Sequence, residues 1–203
     1  MKKILFILFF IAFSSAGFSQ FFIEKSGKKL QKGITKYEGY FTFYYDDNSD
    51  KIFIQIDDLE SDFLYVRSLS EGVGSNDIGL DRGQLGDGVV VYFKKAGNKL
   101  LLVQPNQNFR AITNNKEEKQ SVKEAFAKSV LHGFIIKENK NGKFLVDATS
   151  FFMRDAHGVA STLARNKQGS YSLDKSKSAI NLERTKAFPK NVEFDVLLTF
   201  KGS

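Results

Sequence analysis

A chain of 203 residues with 42% hydrophobic content and 21 Phe can bury a substantial core, and two Pro with 26% charged residues exclude a disordered, solvated chain. The absence of Cys excludes disulfides, thiol catalysis and cysteine metal sites. The net charge of +7 is spread over lysine patches (Lys25, Lys28, Lys29 and Lys32, then Lys167, Lys175 and Lys177) with no nucleic-acid motif among them, so a solvated basic surface is expected and no nucleic-acid partner.

The first residues, MKKILFILFFIAFSSAGFSQ, begin with Lys2 and Lys3 and continue as an apolar run from Ile4 to Phe13. That run is shorter than the roughly 20 apolar residues that span a bilayer. Gly17 and Ser19 are small residues suited to cleavage after Ser19, so residues 1–19 read as a secretory signal peptide. The expected product is secreted or periplasmic and holds no membrane contact after cleavage. Exported without disulfides, it depends on its core alone. Residues 20–37 read as a polar lead-in, and residues 38–203 as one domain.

Strand patterns dominate that domain. Phe41, Phe43 and Tyr45 alternate, as do Ile52, Ile54 and Ile56, and the turn composition DDNSD between them predicts a hairpin. A strand is expected at residues 63–69. Val89–Phe93 and Leu100–Val103 predict a second hairpin turning at Ala96-Gly97-Asn98. A short strand is expected at 108–112. Val122, Ala125, Phe126 and Val130 recur at helical spacing, which predicts a helix over 116–131 capped by Asn115 and ended by Gly133. A third hairpin should turn at Asn141-Gly142, one or two short helices should break near Gly158, and two strands should close the chain at 179–183 and 191–201. The whole is α+β, β-rich, with a mostly antiparallel sheet of hairpins and two or three helices.

The stretch EGVGSNDIGLDRGQLGDG, residues 71–88, holds six of the sixteen glycines. It contains no Lys, and Asp77 stands where the third glycine of a dinucleotide fingerprint would fall, so neither phosphate-binding pattern is met. Asp46, Asn48 and Asp50 imitate the first positions of a calcium loop, but Lys51 occupies the position that requires Gly, which leaves a hairpin turn. His132 and His157 stand far apart with no thiol partner and make no zinc pattern; His132 is expected at a helix end. Asp77, Asp81 and Asp155 are the carboxylates that a hydrolase would have to pair. No Gly-x-Ser-x-Gly is present.

Six blocks in fixed order carry a resemblance: GSNDIGLDRGQLG, LLVQPNQNFRA, FAKSVLHGF, LVDATSFFMRDAHGV, GSYSLDKSKSA and RTKAFPKNVEF. Over residues 35–203 the chain resembles the N-terminal domain of unknown function of large secreted bacterial zinc-dependent metalloproteases. The resemblance implies a following protease domain with His-Glu-x-x-His, which would hold the zinc and act as this domain's partner. It implies no catalytic or metal residue, and no cofactor, in this chain. A non-catalytic accessory domain supporting folding, latency or substrate access is therefore expected, and the chain reads as a fragment of a longer protease. The alternative is a stand-alone secreted binding module for protein or polysaccharide. Asp77, Asp81, Arg82, Asp155 and His157 are the candidates for tying loops down or facing the partner domain.

Overall fold

The computed structural model describes residues 32–74 and 76–202. Residues 1–19, expected to be a signal peptide, and residues 20–31 of the expected lead-in lie outside them. The remainder of the lead-in is not featureless, because its last four residues are a strand, β1 (Ile34–Tyr37).

Seven further strands complete an antiparallel, curled sheet. They are β2 (Thr42–Asp46), β3 (Lys51–Ile56), β4 (Phe63–Tyr65), β5 (Val89–Ala96), β6 (Lys99–Gln104), β7 (Ser129–Lys140) and β8 (Lys143–Asp147). Their spatial order is β1-β2-β3-β8-β7-β6-β5-β4. The three hairpins expected from the alternation and turn residues all form, with Tyr45 opposite Ile52, Lys95 opposite Leu100 and Lys140 opposite Lys143. Asn141 and Gly142 both take positive φ, 52° and 79°, which this tight turn requires and which Asn and Gly tolerate best.

Alternation decides the two faces. Phe43, Ile52, Ile54, Ile56, Val91, Phe93, Leu100, Leu102, Phe134 and Val146 form the main core. Each fully buried side chain of this size contributes about 1.5–3 kcal/mol. Tyr44, Phe53 and Leu145 point to the other face and make a second cluster, against which Ile34 packs.

The connection from β6 to β7 departs most from expectation. Residues 108–112 are not a strand: Asn106 Oδ1 accepts the amides of Asn108 and Phe109, which curls the chain into a turn. The helix α1 (Lys116–Ala125) is capped by Asn115 as expected, with Oδ1 accepting from Glu117 N at 2.8 Å. It stops six residues earlier than its pattern suggests. Ser129 and Val130 pair instead with Gln104 and Val103, so the strand wins the residues that the helical spacing had claimed. Gly133 and His132 therefore lie inside β7, not at a helix end. No residue of α1 is buried. Its exit is pinned by Phe126 stacked on Phe109 at 4.0 Å and by Lys128 Nζ, 2.7 Å from Tyr92 Oη.

After β8 the chain forms two short helices, α2 (Thr149–Phe152) and α3 (Val159–Arg165), separated at Gly158 as expected. Phe151 packs against His132, Phe134 and Tyr65, and so joins this segment to the core.

The last forty residues correct the expectation of two long strands. They contain β9 (Tyr171–Leu173), β10 (Ala179–Ile180), β11 (Lys186–Phe188), β12 (Asn191–Glu193), β13 (Val196–Leu197) and β14 (Phe200–Gly202). The faultless alternation of residues 191–201 is split among three partners: β12 pairs with β11, β13 with β10 and β14 with β9. Its inward phase survives the split. Val192, Phe194, Val196 and Leu198 all pack against the main core, and Phe194 stacks on Phe152 at 4.0 Å.

Candidate functional site: the glycine ribbon and its latch

The strand expected over 63–69 pairs regularly only to Tyr65. Beyond it the two arms of the glycine stretch continue as an irregular ribbon. Gly86 N donates to Arg67 O at 2.8 Å, Leu69 N to Gln84 O at 3.0 Å, Gly83 N to Leu69 O at 2.7 Å and Val73 N to Leu80 O at 3.2 Å. An isolated bridge joins Ser68 and Leu85. Two glycines make this ribbon possible. A Cβ on Gly72 would stand 2.8 Å from Arg82 N and 3.0 Å from Leu80 O, so only a bare backbone lets the arms approach. Gly83 sits at φ 81°, turning the chain where its amide reaches Leu69. Leu80, 3% exposed, anchors the far end.

The charged residues of the stretch take little part in this. Asp77 lies exposed in a single 3-10 turn at Asn76–Ile78, and Arg82 is exposed. Asp81 is half-buried, and its Oδ1 is shielded from solvent with no hydrogen-bond partner among the described residues. Among the described residues no ion pair involves Asp77, Asp81 or Arg82. The loop is tied down by backbone and glycine, not by the side chains expected to do so.

Asp155 and His157 meet the ribbon at its stem. Asp155 accepts from Val159 N at 2.7 Å and Ala160 N at 3.0 Å, one amide to each carboxylate oxygen, and so holds the start of α3. The next carbonyl, of Ala156, accepts from Arg67 Nη1. His157 lies against the Ser68 backbone. Burial pushes its pKa below the ordinary 6.5; the hydrogen bond to Ser68 and the Asp155 charge oppose this, and Arg67 adds to it. Three residues before His157, Arg154 lays its guanidinium over the Phe151 ring at 4.3 Å and reaches Tyr65 Oη at 3.4 Å. Its charge, after burial, also lowers the pKa of His132. The segment 154–157 is thus a latch that closes over β4 and the ribbon stem. It joins α3 to Tyr65, Arg67 and Ser68 on the strand that leads into the ribbon.

A second tie comes from a residue that sequence reasoning missed. Asp195 accepts from Ser70 Oγ at 3.2 Å, Asn181 Nδ2 at 2.9 Å and Arg184 Nε at 3.3 Å. Its amide donates to Thr185 Oγ1 at 3.1 Å, and Thr185 is fully buried. Asp195 falls in the polar phase of its alternation, where it looks like a solvated residue. Arg67 left a clearer signal, for it continues the inward phase of Phe63 and Tyr65 and must meet a partner.

The calcium-like turn also resolves into local bonds. Asp46 accepts from Asn48 N at 3.0 Å and Ser49 Oγ at 2.5 Å, and Tyr45 Oη donates to Asp50 at 2.8 Å. Burial, reinforced by the hydrogen bond to Asp50, pushes the Tyr45 hydroxyl up to about 12. Among the described residues no group of three or more His, Asp or Glu could hold a metal ion.

The family described as a domain of unknown function (DUF5117) matches residues 83–203, more than half of the chain. The chain belongs to this family. A second domain of unknown function (DUF5118) matches residues 23–72. No curated protein and no solved structure matches the chain. The two matches stop on either side of the ribbon's far end, yet the sheet does not divide there. Strands β1–β4 come from the DUF5118 segment and β5–β8 from the DUF5117 segment, and they pair across the divide as β3 with β8 and β4 with β5. The glycine ribbon is the covalent joint of one continuous sheet.

Proposed function

We propose that this DUF5117 chain is a non-catalytic accessory domain of an exported zinc-dependent metalloprotease, serving the folding, latency or substrate access of a protease domain on the same polypeptide. The observation that carries the reading is the use made of Asp155, the carboxylate in the block MRDAHG. Both of its oxygens accept backbone amides, so the carboxylate is engaged in holding the start of α3. Its neighbours behave alike, with Arg67 bound to a carbonyl and His157 set against the Ser68 backbone. The six blocks of the resemblance supply the class of partner, and the zinc would belong to that partner.

The full chain, incubated with zinc, should retain no stoichiometric metal after dialysis and should leave casein uncut. Stoichiometric zinc together with casein cleavage that a chelator abolishes would contradict the reading. So would a coding sequence whose in-frame continuation lacks His-Glu-x-x-His.

A further inference from the structure

The ribbon has an outer face that the latch does not cover. Leu64 pairs with Val90 and points away from the core-facing Phe63 and Tyr65. Val66 follows on the same side, and a Cβ on Gly88 would stand 3.4 Å from Leu64 and 3.5 Å from Val66, so the two lie side by side above that glycine. The Ser68–Leu85 bridge carries Leu85 onto the same side further along. Leu64, Val66 and Leu85 are 66%, 45% and 65% exposed. Three adjacent aliphatic side chains this open form a patch, not a scatter.

Charge singles out the same segment. Residues 57–88 hold eight acidic residues and two Arg, a balance of 2 − 8 = −6 in a chain of net +7. Asp62 and Asp87 neighbour Leu64 and Gly88 along the chain, Glu71 and Asp77 lie farther out along the ribbon, and all four are exposed. An acidic rim repels anionic headgroups and nucleic acid, and it steers a basic surface toward the apolar centre.

We propose that this face docks a protein surface whose apolar side chains are ringed by lysine or arginine. An open apolar ribbon face offers area to a macromolecule, and the charge of the segment selects the sign of that partner. The inference goes beyond the accessory-domain reading and stands whether or not the partner is a peptidase.

The test titrates the full chain into a fluorescein-labelled amphipathic peptide of leucine and lysine, followed by anisotropy, with a leucine–glutamate peptide as the control. The lysine peptide should bind and the glutamate peptide should not. Leu64→Gln with Leu85→Gln, which leaves every charge in place, should weaken binding at least about tenfold. Asp62→Asn with Asp87→Asn should weaken it and flatten its salt dependence. These positions are exposed, so an unchanged thermal midpoint confirms that each variant is folded. Unaltered binding by the leucine variant would overturn the proposal, because charge alone would then suffice. A dimer in sedimentation that the leucine variant dissolves would also overturn it, assigning the face to a second copy.

Discussion

Two histidines show how position, not residue type, sets chemistry here. His132 lies edge-on to Phe134 and tilted on Phe151, and burial, with Arg154 adding to it, holds its pKa below 6.5. His157 is shifted in the same direction, also chiefly by burial. A depressed histidine pKa favours the neutral ring in the folded chain. The unfolded chain therefore binds more protons as acidity rises, and the stabilisation is complete above about pH 6.5 and lost as pH falls through the lower folded values. Urea unfolding should show stability level near pH 7.5 and declining from pH 6.5 toward 5, and His132→Phe should make that decline shallower. Stability that rises on acidification over this range would contradict the burial of both rings. The sequence alone pointed to neither shift, because His132 looked like a helix-end residue and its ring partner Phe151 lies nineteen positions away.

At the scale of elements, local chemistry was legible and pairing was not. The turn at Asn141-Gly142, the cap at Asn115 and the break at Gly158 are short-range devices, and each appears where its residues place it. The end of α1 depended on whether Val103 offered a better partner to Val130 than the next helical turn did, which no local pattern records. Residues 191–201 make the same point. Alternation placed Val192, Phe194, Val196 and Leu198 on one face, and these four pack on the core, but it could not show that three different strands share the segment, nor that Asp195 turns back to Ser70. In the ribbon the glycine count was visible, whereas the need for it is tertiary. Gly72→Ala should cost about 1–3 kcal/mol in denaturant unfolding, since the added methyl meets backbone on the opposite arm and neither arm can yield without losing its ladder. A variant as stable as the parent would show that the arms are not held together as described.

For the molecule as a whole, the α+β class and the antiparallel sheet follow from the hairpin signals, while the order of the strands does not. Hairpins specify neighbours in the chain; the long-range pairs β3–β8 and β4–β5 are set by which inward faces complete a common core. Those pairs make the two matched families halves of one sheet, with the first half supplying both of its edges. The glycine ribbon, the latch at residues 154–157 and the tie at Asp195 then all serve one purpose, to hold those halves in register. The most direct measurement is equilibrium unfolding of residues 83–203 produced alone, beside the full chain. The fragment has lost β1–β4, leaving β5 and β8 as bare edges and half of the core open, so it should lack both a cooperative transition and the near-ultraviolet dichroism of packed aromatic rings. A fragment that unfolds in one sharp transition of its own, with those signals intact, would contradict the single-sheet account.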